Sequence, residues 1–279
     1  MKTNIKAVIL DWAGTSVDFG SMAPVLVFQE VFKEKGIDIS PVDARKFMGL
    51  DKRDHTRRIL NLTHVKDQWL EKYGFGPRDT DVEEIFTRLE PKLADVAADL
   101  SIPIQGAIEF VDEMHALDIK VGTTTGYVSS MMERIVPEAK KRGFDPDCVV
   151  SSSDVPGGRP FPYMCFLNAI KMEVFPLSHM IKIGDTVADI LEGLNAGMWT
   201  IGLSESGNEV GLTQDEIYNL DPGLCDELIE NAGLRLKKAG AHYIARGIWE
   251  CLPIIKHIEE RIRSGENPLA EIIAVDSSR

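Results

Sequence analysis

The sequence predicts an α/β protein: a doubly wound parallel-sheet (Rossmann-like) core carrying an inserted helical cap. Three features predict it. Short apolar runs of strand length recur along the chain, helical patterns alternate with them, and a long stretch behind the first run has helical spacing without convincing strands. Alternation of this kind builds a parallel sheet covered by helices.

Residues 6–10 form the first apolar run, ending at Asp11, and read as a buried parallel strand. Similar runs lie at 119–124, 148–151, 180–183 and 198–203. Phe110, Met114 and Leu117 share one helical face, as do Val187, Ile190, Leu191 and Leu194. Between the first two strands, Val25, Phe28, Val31 and Phe32 have helical spacing. Thr80 and Glu83 have capping-box spacing ahead of Ile85, Phe86, Leu89, Leu93 and Val96. Pro91 is expected to kink or interrupt that helix. A plain βαβ crossover needs far fewer residues than this stretch contains. Residues 20–100 are therefore read as a helical cap inserted into a core made of 1–19 and 101–279. An insert at that point sits above the carboxyl ends of the strands, where open α/β sheets bind ligands, and can act as a lid. The chain has no internal repeat or low-complexity tract, and the polar tail from Ser264 is expected to fray.

Composition sets outer limits. The 279 residues are 44% hydrophobic, enough for a sizeable core. A net charge of -13 argues against nucleic acid as the main partner, while leaving room for a local basic site. Cys148, Cys165, Cys225 and Cys251 are widely spaced, which suggests neither a zinc site nor a disulfide framework. The apolar run near the amino end is too short for a signal peptide, and no stretch is long enough to span a membrane. The expectation is a soluble cytoplasmic protein.

Four pieces stand at the ends of the expected strands: Asp11-Trp12-Ala13-Gly14-Thr15, Thr123-Thr124-Thr125-Gly126-Tyr127, Gly158-Arg159-Pro160, and Gly184-Asp185-Thr186-Val187-Ala188-Asp189. An aspartate at the first strand end can attack phosphorus and become an aspartyl phosphate. Asp185 can share a Mg²⁺ ion with it, and the cation screens the repulsion between an anionic nucleophile and an anionic substrate. Thr125 and Arg159 can hold the phosphoryl oxygens, the arginine through its planar fork. Any one of these residues could equally be a cap or turn residue; it is the ordered set that carries information.

The set DxxGT, T-G, a basic residue before proline, and GDxxxD resembles the haloacid dehalogenase superfamily, with Asp11, Thr125, Arg159 and the Asp185/Asp189 pair on its four motifs. One position departs. Phosphatases and mutases of that superfamily carry a second aspartate two residues after the nucleophile as general acid and base. Here that position is Ala13, which cannot move a proton. Another group must then do this work, or the leaving group is not an oxygen. Lys52 and His55, three apart in Met48-Gly49-Leu50-Asp51-Lys52-Arg53-Asp54-His55, share a helical face. A lysine can form an imine with a carbonyl, and an imine accepts the carbon electrons released when a C–P bond breaks.

With that segment included, nearly the whole chain resembles the phosphonatase (phosphonoacetaldehyde hydrolase) family. The resemblance implies hydrolysis of phosphonoacetaldehyde to acetaldehyde and phosphate, with Lys52 forming the imine and His55 assisting its proton transfers. It places Met48 beside the imine, with Gly49, Thr125, Gly126, Tyr127 and Arg159 around the phosphonate. It gives Asp11, Asp185 and the Ala13 carbonyl to Mg²⁺, and Asp189 to support of the metal-bound water. It also implies a homodimer formed through the cap. Ser21 stands where a cysteine is expected. Two other readings stay open: a phosphatase or phosphomutase acting on a small phosphate ester with His55 as acid, and a non-catalytic sensor of phosphometabolites.

Overall fold

The computed structural model describes residues 3–269. β1 (Ala7–Leu10) is followed by five helices: α1 (Met22–Glu34), α2 (Pro41–Arg45), α3 (Lys52–Leu60), α4 (Thr63–Tyr73) and α5 (Asp79–Asp99). The chain then continues through α6 (Ala107–Ala116), β2 (Lys120–Thr125), α7 (Ser129–Lys141), β3 (Cys148–Ser151), α8 (Tyr163–Lys171), β4 (Met180–Gly184), α9 (Val187–Asn195) and β5 (Trp199–Leu203). It ends with α10 (Gln214–Asn219), α11 (Pro222–Lys238), β6 (Tyr243–Ala245) and α12 (Cys251–Arg263).

The six strands form one sheet in the order β3-β2-β1-β4-β5-β6, and every neighbouring pair is parallel. Strand order reverses at β1, the point where doubly wound sheets open a crevice at their carboxyl edge. Register pairs Leu10 with Thr123 on one side and with Ile183 on the other. Asp11, Thr124 and Gly184 therefore come level at that edge. The apolar runs are buried because helices cover both sheet faces: Ala7, Val8, Ile9 and Leu10 have no exposed surface.

The apolar face of α1 is as expected, with Val25, Phe28, Val31 and Phe32 all buried. Two details of the insert differ from the sequence reading. The start of α5 is capped two residues earlier, where the Asp81 carboxylate accepts from the Arg78 backbone N–H at 2.8 Å. The same helix runs unbroken through Pro91. Packing of Leu89 and Leu93 on either side of the proline, both fully buried, outweighs its lost hydrogen bond. α5 packs lengthwise on α7 of the core, where Asp95 pairs with Arg134 and the Ala98 carbonyl accepts from Arg142 at 2.8 Å. Strand β6 and the helices after β5 were not anticipated. Leu117 falls just beyond α6 and Val187 is partly exposed, so neither completes its expected face. The four cysteines are free thiols. Among the described residues no helix is long and apolar enough to cross a membrane. The tail from 270 onward lies outside the described residues.

Candidate active site

A cavity of about 20 Å³ lies between the carboxyl edge of the sheet and the insert. The core contributes Asp11, Ala13, Thr125, Gly126, Tyr127 and Arg159, and the insert contributes Ser21, Met48, Gly49 and Lys52. Residues far apart in sequence meet there because β1, β2 and β4 end side by side and the loop before α3 presses down on them. That approach leaves no room for side chains on the backbone. A Cβ on Gly126 would lie 2.3 Å from the Leu50 carbonyl oxygen. One on Gly49, whose φ is +85°, would lie 2.5 Å from Thr186 Oγ1. Asp51 caps α3 by accepting from the Arg53 N–H (2.9 Å), and its other oxygen accepts from Ser152 Oγ of the core (3.0 Å). The cap residue thus fixes the start of α3, and with it Lys52.

Arg159 is fully buried as a side chain and uses most of its donors. Nη2 donates to Asp11 Oδ1 (2.7 Å) and to the carbonyl and hydroxyl oxygens of Thr124 (2.8 Å each). Nε donates to Glu192 Oε2 (2.8 Å). Behind it, Lys182 Nζ donates to Asp189 Oδ1 at 2.7 Å, while Thr186 Oγ1 donates to Asp189 Oδ2 at 2.5 Å. Asp185 accepts from Thr15 Oγ1 (2.9 Å) and from the Asn208 backbone N–H (2.7 Å).

Asp11, Asp185 and Asp189 each offer an oxygen within 4.8 Å of the others, and all three are buried. Crowding of that kind is reflected in their acidities. Burial, reinforced by Asp11 and Asp189, pushes Asp185 well above the usual carboxylate range. Burial also pushes Asp11 up, with Arg159 pulling against it. Asp189 is buried too, but Arg159 and Lys182 hold it below its ordinary value. Two carboxyls crowded side by side fit a cation site, and an all-oxygen donor set suits a hard divalent ion.

Lys52 is 3% exposed. Its pKa is pushed down to about 8, because desolvation outweighs the pull of Asp11 and Asp51. Its ammonium lies 5.1 Å from the Tyr127 ring centroid. The Tyr127 hydroxyl has no hydrogen-bond partner among the described residues.

His55 lies behind Lys52 and does not line the cavity. Its ring packs on Phe28 at 4.3 Å. Nε2 lies 2.8 Å from the Ala44 carbonyl, which can only accept, so the proton sits on Nε2 and Nδ1 is left bare. Burial and Lys52 hold the imidazole well below its ordinary pKa, so it is neutral at pH 7.

The sequence reading missed Lys182, Glu192 and Asn208, and gave no role to Thr15 and Thr124, which stand within its strand-end pieces. A lysine inside the apolar run 180–183 was the available signal: a charge in a buried strand must have a partner.

A family model of haloacid dehalogenase-like hydrolases matches residues 8–203. A phosphonoacetaldehyde hydrolase of Syntrophobacter fumaroxidans is 47% identical over 267 residues, covering 95% of each chain. The chain belongs to the phosphonoacetaldehyde hydrolase family, within the haloacid dehalogenase-like hydrolases. It is also 42% identical to a phosphonoacetaldehyde hydrolase of Nitratidesulfovibrio vulgaris, over 95% of this chain and 94% of that one. A phosphonoacetaldehyde hydrolase-like protein from Oleispira antarctica superposes with a TM-score of 0.93 at 38% identity, covering 96% of this chain and 98% of that one. The chain is accordingly a hydrolase. Its inner cavity brings together every motif that carried the resemblance except GDxxxD, whose carboxylates lie beneath it.

Proposed function

We propose that the enzyme hydrolyses the C–P bond of phosphonoacetaldehyde, giving acetaldehyde and phosphate. The observation that carries this reading is the shared cavity: a lysine with a depressed pKa faces a buried aspartate, and alanine stands where a proton donor to an ester oxygen would be.

The residues then act in sequence. Neutral Lys52 condenses with the aldehyde and releases water. Asp11, held by Arg159, attacks phosphorus. The C–P bond breaks, its electrons pass into the imine to give an enamine on Lys52, and the phosphoryl group is left on Asp11. No leaving oxygen needs a proton, which is consistent with Ala13. The enamine takes a proton at carbon and is hydrolysed to acetaldehyde, and a second water hydrolyses the aspartyl phosphate. One water is consumed overall. The bare Nδ1 of neutral His55 is suited to shuttling protons at Lys52. Thr125, Gly126, Tyr127 and Arg159 surround the phosphonate, with Met48 and Gly49 closing the aldehyde side. Mg²⁺ is the fitting ion, and Asp11, Asp185 and the Ala13 carbonyl would hold it. It would supply positive charge against the repulsion between the attacking and the transferred anion. Asp189 supports that site by fixing Lys182 and Arg159.

On this reading residues 20–100 work as a cap on a core of 1–19 and 101–279, and the enzyme is a homodimer formed through the cap. Light scattering on the full chain checks the second point. The substrate is tested by measuring acetaldehyde and phosphate release from phosphonoacetaldehyde against phosphate release from monoesters, with Mg²⁺ and with chelator. Monoester turnover without C–P cleavage would overturn the assignment.

A further inference from the structure

Beside the reaction cavity, insert and core enclose a second cavity of about 260 Å³. Arg45, Lys46, Met48 and Arg58 line its insert side, while the first residues of α9 and Glu209 line its core side. Met48 borders both cavities. Its neighbour Gly49 packs against Thr186 and Ala188, which are walls of the outer one. The chain at 48–49 is therefore the partition between them. Asp11, Lys52 and Arg159 are all buried, and the inner cavity has room for little more than a single water. A phosphonate therefore fits there only when the walls of the cavity, the chain at 48–49 among them, give way.

Cations outnumber carboxylates in the lining of the outer cavity. Glu209, its one carboxylate, is already held by Arg235 Nε at 2.6 Å. Arg45 donates to the carbonyls of Gly20 (2.7 Å) and Gly211 (2.9 Å), and its charge is offset by the nearby carboxylates of Asp18, Asp185 and Glu216. Lys46 and Arg58 are exposed and have no carboxylate partner among the described residues. They flank one aromatic ring, at 5.7 and 5.8 Å from the Phe47 centroid. A chain of net charge -13 thus keeps two cations without a carboxylate partner among the described residues, Lys46 and Arg58, on one cleft beside its reaction cavity. Clefts of one sign concentrate ligands of the other and raise their rate of capture.

We propose that the outer cavity is an anion vestibule. It holds small phosphonate and phosphate dianions between solvent and the reaction cavity, with Lys46 and Arg58 as the attracting charges and Met48 as the partition. The substrate class rests on the function proposed above.

The test uses the full-length, Mg²⁺-loaded enzyme carrying Lys46→Glu/Arg58→Glu, with Lys46→Gln/Arg58→Gln as the milder pair. At low ionic strength kcat/KM for phosphonoacetaldehyde should fall about tenfold in the charge-reversed pair while kcat holds, and the gap should narrow as salt is added. Inhibition by inorganic phosphate should weaken in parallel, and inhibition by neutral acetaldehyde should not. Equal kcat/KM and equal phosphate inhibition at every salt concentration would overturn the vestibule. If the wild-type enzyme does not cleave phosphonoacetaldehyde, the functional reading fails separately. Calorimetry with inorganic phosphate then decides: weaker binding in the variants supports the vestibule, and equal binding overturns it.

Discussion

Trapping the lysine imine across a pH series tests Lys52 directly. The perturbation is borohydride added to the Mg²⁺-loaded enzyme with acetaldehyde, from about pH 6 to about pH 10, spanning the buried and free lysine values. Imine formation needs the neutral amine. With the pKa brought down to about 8 by burial, roughly a tenth of Lys52 is neutral at pH 7. A lysine at its ordinary value would be roughly 0.03% neutral, so burial supplies an advantage of about 300-fold. The trapping rate should rise about tenfold per pH unit in the acid limb and level off above about pH 8. A bound cation nearby moves that midpoint lower, not higher. Mass spectrometry should place the reduced adduct on Lys52, and Lys52→Arg should neither trap nor cleave. A midpoint near the free lysine value, or an adduct on another lysine, would refute the reasoning. The same shift has a stability consequence. Below its folded pKa Lys52 is charged in both states, so the burial penalty, about 3 kcal/mol, is fully present. It disappears as pH rises from about 8 towards the unfolded value, so Lys52→Met should stabilise the protein at pH 7 and add little at about pH 10.5.

Other outcomes follow from the same geometry. Asp11→Asn should lower turnover roughly 10⁴-fold or more while the fold survives, since an amide is neither a good nucleophile nor a good Mg²⁺ ligand; activity near wild type in the purified variant would exclude Asp11 as nucleophile. The Asp185 pKa is pushed above its ordinary value, so without metal the folded state binds the extra proton and loses stability as pH climbs past the unfolded carboxyl value. Mg²⁺ should therefore stabilise the fold by about 2.7 kcal/mol at a hundredfold excess over Kd, raising the melting temperature more at neutral pH than near pH 4, and Asp185→Ala should abolish the effect. Lys182→Met leaves Asp189 buried with one cation fewer and should cost about 3–5 kcal/mol in denaturant unfolding. Gly126→Ala drives a methyl into the Leu50 carbonyl and should destabilise the closed insert by about 1–3 kcal/mol, seen as lost activity with a near-normal sheet signal.

The parts of this fold that sequence could reveal are those with a local cause. Apolar runs mark β1 to β5 because strands buried on both faces need continuous hydrophobic residues, and the motif residues follow from where those runs stop. Strand β6 is a half-buried three-residue edge strand with no such run, and its pattern blends into the loops around it. Pro91 misled because propensity is a weak prior beside the packing of a 21-residue helix. Lys182 and Glu192 were overlooked for a different reason. Glu192 is paired by Arg159, which arrives from another segment, and Lys182 by Asp189 and Glu192 of α9; a buried charge is explained only once its counter-ion is brought beside it.

Division of the site between core and insert has a mechanistic consequence. Asp11, Arg159 and the carboxylate cluster sit at the ends of sheet strands and are held there by buried ion pairs. Lys52 starts a helix of the insert, and its position is tied to the core by the Asp51–Ser152 hydrogen bond. Only the closed arrangement brings amine and carboxylate to one cavity, and only closure removes the water whose loss depresses the lysine pKa. On the proposed reading, activating Lys52 and aligning it with Asp11 are the same physical event. Variants that loosen the closed insert should therefore lose imine formation and phosphoryl transfer together. Asp11→Asn should separate the two, leaving borohydride trapping on Lys52 intact while C–P cleavage stops. An Asp11→Asn enzyme that neither traps nor cleaves would show that the lysine depends on the nucleophile's charge instead of on burial.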